Sequence, residues 1–323
     1  MSVRWGILGA GSVAQRRVMP AIQANPQSEL AALMVRDLGR AEELAGQFGA
    51  ERWYDQVEPL LDDSEIDAVY VSSPNYLHRD HVLGAARRGK HVLCEKPMAM
   101  SSDECREMIA ACDEAGVHLE LCFVLRGWPI YHEVKAMLEA GRLGQIVEIR
   151  AHLAKWTPRK EGEWRLDPEK GGGGSMADVG SHYLDLFRFL LGDLRRIACL
   201  GSSAVFGYPV EETATALVGF ESGVHGVLVT TYAVPFSGNV LEIYGTEGTL
   251  LLGKELTLVT EEGQESRPAE FPDYYSGLLA QFCRCVTEGG EALASGMDGL
   301  RNLEAIEGAY RSAREGMIVE LPA

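Results

Sequence analysis

The sequence is short of positive charge, of paired cysteines and of long apolar runs. Thirty Lys and Arg stand against 47 Asp and Glu, giving a formal net charge of −17 at pH 7. A field of that sign repels phosphate backbones and anionic membrane surfaces, which argues against a nucleic-acid or membrane partner. It says nothing against a small neutral substrate, while a phosphorylated ligand would need local help from helix N-termini and a few arginines. The seven cysteines (Cys94, Cys105, Cys112, Cys122, Cys199, Cys283 and Cys285) are odd in number and form no C-x-x-C. A disulfide framework or a metal site is therefore not expected, and reduced, buried thiols in a cytosolic protein are. No stretch approaches the roughly 18 apolar residues of a membrane span. No signal-peptide pattern precedes the first strand, so a cytoplasmic location is the expectation. There is no internal repeat, and the four glycines at 171–174 are the only low-complexity feature.

What is present is enough for two domains: 323 residues, 46% hydrophobic. The first part alternates apolar runs with helical patterns. "VRWGILG" (3–9), "ELAALMV" (29–35), "IDAVYVSS" (66–73), "KHVLCEK" (90–96) and "VHLELCFV" (117–124) read as strands. Helices fall between them, one with Ser102 as its expected N-cap. Strands apolar throughout and separated by helices mean a doubly wound parallel sheet covered on both faces. Beyond about residue 123 the pattern becomes period-two segments between glycine-containing turns, followed by helical stretches near 276–288 and 297–315. The expected fold is α/β, with a dinucleotide-binding Rossmann domain at 1–122 and an α+β domain with a large, open, mostly antiparallel sheet at 123–323. The two C-terminal helices are candidates for packing back on the first domain.

"GAGSVA", residues 9–14, ends the first strand and opens a helix, which is the context a G-x-G-x-x-A fingerprint needs. Gly9 permits the tight turn, Gly11 lets backbone approach a pyrophosphate, and Ala14 allows close helix–strand packing. Amides at Ala10, Gly11, Ser12 and Val13 would hold the phosphates. An acid that binds the ribose 2′-hydroxyl is expected at the end of the second strand, which reads "LMVRDLGR". Val35 takes the acid's place, with Arg36 and Arg40 following. Arginines would pair with a 2′-phosphate, which favours NADP(H) over NAD(H). The alternative is that Asp37 is the acid, displaced by register, and Arg36 is a solvated surface charge.

Three further stretches carry a resemblance: "SSPNYLH" (72–78), "CEKP" (94–97) and "GGGGSMADVGSHYLDLFRFLLG" (171–192). With "GILGAGSVA" at the front and "SAREGMIVEL" near the end, the chain closely resembles the glucose–fructose oxidoreductase / inositol dehydrogenase (Gfo/Idh/MocA) family over nearly its whole length. The resemblance implies a two-domain NAD(P)-dependent oxidoreductase acting on sugars, cyclic polyols or related compounds. It also implies a homodimer or homotetramer built through the open sheet.

The resemblance places Glu95, Lys96 and Pro97 at the mouth of the site, with Lys96 touching the nicotinamide-ribose region and the reacting oxygen. Ser73, Pro74 and Asn75 would wrap the cofactor, and His78 would begin the helix beneath it. Asp178 and His182 are spaced i, i+4 and share a helix face, with Asp185 three residues beyond. Leu184, Phe187 and Leu191 form a roughly opposite apolar stripe. His182 is the natural general acid–base, because an imidazole gives or takes a proton near neutral pH. Asp178 would bind a neighbouring hydroxyl or orient His182. Arg126, Trp164, Arg165 and Tyr275, and less strongly His152, fall where the family builds its substrate pocket.

Structural alternatives stand beside each role. Glu95 and Lys96 could be a contact at a strand end. Ser175-x-x-Asp178 fits a capping box. His182 could be a satisfied helix side chain, and Asp185 a second partner of the site or an ordinary ion pair. Two other functions are open within the same resemblance: a regulatory protein that binds dinucleotide without turnover, and a glycoside-cleaving enzyme that uses bound NAD(P) transiently.

Overall fold

The computed structural model describes residues 2–158 and 162–322. The chain divides into two compact units, Met1–Gly127 with Asp273–Leu300, and Trp128–Pro272 with Arg301–Ala323. The division falls a few residues beyond the expected boundary at 122/123, and it returns a C-terminal segment to the first unit.

The first unit is built on six strands: β1 (Val3–Leu8), β2 (Ser28–Met34), β3 (Arg52–Tyr54), β4 (Ala68–Val71), β5 (His91–Cys94) and β6 (Leu119–Leu121). Their order is β3-β2-β1-β4-β5-β6, and every pairing is parallel. This is the doubly wound order, with its reversal between β1 and β4, where ligands bind beyond the carboxyl ends of the strands. β4 is buried throughout and β1 is buried except at Arg4, because helices cover both faces of the sheet. β3 was not expected: it is a three-residue edge strand whose residues are half-buried or exposed.

Residues 273–300 belong here for a packing reason. Leu278, Leu279, Phe282 and Cys283 of the helix Tyr274–Glu288 are buried in one cluster with Trp5, Val18 and Met19. The Phe282 and Trp5 rings lie 4.9 Å apart. One helix start also differs from the expectation. Ser101, not Ser102, is the N-cap of Ser102–Ala115, accepting from the Glu104 amide, while Glu104 Oε2 accepts from the Met100 amide. Ser102 lies inside the first turn.

The second unit holds nine strands: β7 (Ile146–Ala154), β8 (Leu194–Ser202), β9 (Thr213–Phe220), β10 (His225–Thr231), β11 (Val240–Gly245), β12 (Gly248–Leu252), β13 (Glu255–Thr260), β14 (Gly263–Pro268) and β15 (Val319–Glu320). They are ordered β14-β13-β12-β11-β7-β10-β9-β8-β15, with one parallel pairing, β10 with β7. The sheet is open and mostly antiparallel, and the helix Ser181–Leu191 buries Leu184 and Phe187 completely.

Candidate active site

One group of candidate residues lies at the carboxyl ends of the parallel strands of the first unit. Gly9 has φ of +89°, and a Cβ there would meet Ser73 N at 3.0 Å, so two loops abut on a position only glycine fills. Gly11 is exposed, and a Cβ built on it meets nothing within 4 Å. That open space is what a pyrophosphate approaching backbone needs, and the helix that starts at Ser12 follows at once. Ser12 and Val13 are exposed and Ala10 is buried. Arg16, which the sequence reading did not single out, hydrogen-bonds to Ser12 Oγ and brings a positive charge to the loop.

At the end of β2, Arg36 is exposed and Val35 half-buried. The Asp37 carboxylate accepts from the Arg40 amide at 2.8 Å and caps the next helix. Arg40 itself pairs with Glu43 at 2.5 Å.

The loops after β4 and β5 are tied to each other. His78 is fully buried, with Nε2 facing Ser73 O at 2.9 Å and Nδ1 facing Pro97 O at 3.0 Å. Burial pushes its pKa below the ordinary value, against the pull of those two carbonyls. His78 thus acts as a strut between loops rather than as a surface a cofactor could touch. Ser73 Oγ is hydrogen-bonded to His81 Nδ1 at 3.0 Å, and Ser73 and Asn75 are buried while Pro74 is half-buried.

Glu95 and Lys96 are half-buried, and the Lys96–Pro97 peptide is cis. Tyr70, fully buried on β4, donates to Glu95 Oε1 at 2.7 Å. Tyr275 donates to the same oxygen at 3.4 Å, and the Lys96 amide donates to Oε2 at 3.3 Å. Burial, then the Glu95 charge, pushes the Tyr70 phenol well above its usual value, so it stays a donor. Tyr275, expected in the substrate pocket, is buried and seats Glu95. Arg126 is buried too. Its guanidinium bonds to Asp298 at 2.9 Å and to Leu293 O at 3.1 Å, holding the first turn of the last helix and the segment before it.

The second group of candidate residues belongs to the other unit. The glycine run is set by close approach: a Cβ on Gly174 would lie 1.9 Å from Glu211 O, and one on Gly173 1.9 Å from Tyr310 Oη. Glu211 accepts from the Gly174 and Met176 amides at 3.0 and 2.8 Å and from Tyr310 Oη at 2.9 Å. It therefore supplies the acceptor for the amides that start this helical segment. Ser175 makes no capping bond and donates to Thr230 O, and Asp178 accepts from Tyr232 Oη at 2.8 Å. The capping-box alternative for Asp178 fails on this geometry. Met176–Gly180 is a single wide turn of i→i+5 type leading into Ser181–Leu191, a form often found at functional sites. Asp178 and His182 are half-buried, and Asp185 is fully buried. Of the expected apolar stripe Leu184 and Phe187 are fully buried and Leu191 is half-buried.

Trp164 and Arg165 are half-buried, with the guanidinium 4.2 Å over its neighbour's ring. His152, on β7, has Nδ1 3.4 Å from Ser237 Oγ. Tyr232 and Glu211 were missed because their partners come from distant segments, and neither sits in a recognisable motif.

A doubly wound parallel sheet with a glycine loop at the end of its first strand defines a dinucleotide-binding protein. Residues 3–123 match the oxidoreductase family with an NAD-binding Rossmann fold, and residues 131–251 match the GFO/IDH/MocA C-terminal domain. The chain belongs to the GFO/IDH/MocA family and is an NAD(P)-dependent oxidoreductase. It is 33% identical to 1,5-anhydro-D-fructose reductase of Ensifer adhaerens, over 98% of each chain. It is 31% identical to D-xylose 1-dehydrogenase (NADP(+)) 2 of Haloferax volcanii, over 98% of this chain and 99% of that one. Among solved structures, the aldose-aldose oxidoreductase of Caulobacter crescentus, complexed with glycerol, superposes with a TM-score of 0.91 at 31% identity, over 99% of this chain and 100% of that one.

Burial, then the charge of neighbouring His78, holds the His81 pKa down at about 4. The unfolded chain, with a histidine near 6.5, therefore binds more protons than the native state between those values. Stability should fall as pH drops from 6.5 towards 4, by up to about 1.4 kcal/mol per pH unit from this ring. Buried His78 and partly buried His91, also shifted down, act in the same direction. Urea unfolding at pH 7 and pH 5 reads the effect. His81→Gln should flatten the dependence, and a wild type equally stable at both values would contradict it.

Proposed function

We propose that the protein transfers a hydride between a nicotinamide cofactor and a secondary alcohol or ketone carbon of a sugar, polyol or related cyclic compound. The observation that carries this reading is the full-length likeness to enzymes named for sugar substrates. The chain adds to it a lysine, a histidine and an aspartate of the right chemistry at the expected motifs. When bound, the cofactor supplies the hydride acceptor or donor. In oxidation His182 takes the hydroxyl proton, and the Lys96 ammonium stabilises negative charge developing on that oxygen. In reduction the same groups return the proton and polarise the carbonyl. Asp178, held by Tyr232, orients His182 or accepts from a neighbouring substrate hydroxyl. Trp164 and Arg165 offer a ring and a cation to the sugar.

The absorbance of the reduced nicotinamide, followed with a panel of aldoses, anhydrosugars and polyols, tests the reaction. Lys96→Ala should bind cofactor and lose about 10²–10³-fold in kcat. His182→Asn should lose about 10²–10⁴-fold and abolish the acid-side fall of the pH–rate profile, at unchanged melting temperature. Wild-type kcat in either variant would assign that residue a structural role. Firm dinucleotide binding with no turnover on any substrate would point to a regulatory protein instead.

NADP(H) is the favoured cofactor, with NAD(H) the alternative. The reading is supported by Val35 in the acid's place, exposed Arg36, and Asp37 engaged as a helix cap. A 2′-phosphate would draw on Arg36 and, on release from Glu43, on Arg40. Calorimetric titration should show tighter binding of NADP(H), and Val35→Asp with Arg36→Ala should reverse the order. Tighter NAD(H) binding by the wild type would overturn the assignment.

Two copies pairing through the open sheet fit its exposed apolar side chains. Leu200 on β8 is 77% exposed and Leu217 on β9 is 58% exposed, and the strand register puts both on one face. Light scattering should give a dimer or tetramer, with Leu217→Glu shifting it towards monomer. A wild type that is monomeric at micromolar concentration would contradict this.

A further inference from the structure

Within the first unit, three side chains of metal-ligand type meet away from the dinucleotide loops. His118 Nε2, Glu120 Oε2 and Cys285 Sγ all lie within 4.8 Å of one another. His118 and Glu120 flank Leu119 at the edge strand β6, and Cys285 comes from the helix Tyr274–Glu288. We propose that His118, Glu120 and Cys285 bind one zinc ion, with a water completing the tetrahedron.

Geometry supports this first. His118 Nε2 and Glu120 Oε2 are 3.2 Å apart, close to the edge of about 3.3 Å between two ligands on a tetrahedral zinc. A modest turn of the Cys285 side chain would bring the sulfur to its edge of about 3.5 Å. Imidazole, carboxylate and thiolate together are a donor set suited to zinc, a borderline-soft ion, rather than to magnesium or calcium.

Charge supports it next. Glu120 is fully buried and Cys285 nearly so, while His118 is about one-fifth exposed and leaves an entry path. A carboxylate and a thiolate carry two negative charges, which a divalent cation cancels, so the occupied site is buried without net charge.

Outer partners are already in place. The Leu293 amide donates to Glu120 Oε1 at 3.2 Å, fixing the oxygen that does not face His118. Gln281 Nε2 donates to Cys285 Sγ at 3.6 Å, and the thiol donates to Glu291 O at 3.1 Å, a bond the sulfur would give up on binding the ion. The His118 ring packs edge-on against Phe282 at 5.4 Å, which limits its rotation. Such second contacts orient ligands and tune affinity. An ion here would staple the edge strand β6 to the helix that packs on the sheet. The sequence hid the site because no C-x-x-C or H-x₃-H spacing announces it.

The test uses the full chain, stripped with EDTA and titrated with Co²⁺ and then Zn²⁺. One Co²⁺ per chain should bind with a thiolate-to-metal charge-transfer band, Zn²⁺ should displace it, and Zn²⁺ should raise the melting temperature. Cys285→Ser should remove the band and weaken zinc at least about tenfold. His118→Gln, at a partly exposed position, should keep the band and weaken zinc similarly, and it decides the matter if the serine variant folds poorly. Cys112→Ser should change nothing. No stoichiometric binding by the wild type, or binding that survives both ligand substitutions, would overturn the site. None of these readouts depends on turnover.

Discussion

At the end of β5 the Glu95 carboxylate accepts from Tyr70, Tyr275 and the Lys96 amide, and the conformation of the loop that carries Lys96 depends on those bonds. A carboxylate at the end of an apolar strand is costly unless it is paired or hydrogen-bonded. Here two tyrosines supply the partners, one from the neighbouring strand and one from the helix Tyr274–Glu288. The helix is in turn held by Phe282 against Trp5. The position of Lys96 thus rests on a segment nearly 180 residues further along the chain. Buried His78 adds a second tie, facing carbonyls of both loops.

The second unit solves a similar problem with a different carboxylate. Glu211 accepts from the amides that open the helical segment and from Tyr310. The glycine run exists because these partners come closer than any side chain would allow. With Glu211 in that role, Asp178 is engaged by Tyr232 instead of by the helix start. The two glycine-rich segments each run into a wide helical turn, Ala14–Val18 behind the glycine loop and Met176–Gly180 before His182. Such turns are rare and occur frequently at functional sites.

Much of the fold was legible because its signals are local. Continuous apolar strands such as Ala68–Val71 and the strand–glycine–helix order at 3–14 announce a parallel sheet without any tertiary information. The motifs around Lys96, Asp178 and His182 were legible through family resemblance. What was not legible depends on contacts distant in sequence. β3 is too short and too exposed to show a period. Helix Tyr274–Glu288 belongs to the first unit through Phe282, which no local pattern reveals. Ser101 and Ser102 are both good caps, and only the backbone geometry chooses between them. Arg126 and Tyr275 carry side chains suited to sugar recognition, yet their described bonds run to Asp298, Leu293 and Glu95. Neither Tyr232 nor Glu211 could have been picked from sequence, since each acts on a segment more than 30 residues away.

The central claim is that a hydrogen leaves a substrate carbon as hydride, with the accompanying proton handled by the protein. A substrate carrying deuterium at the reacting carbinol carbon tests it most directly. Oxidation should deliver the label to C4 of the reduced nicotinamide, on one face only, with the rate slowed when the chemical step limits turnover. Label recovered in solvent, with the nicotinamide unlabelled after net turnover, would contradict the account.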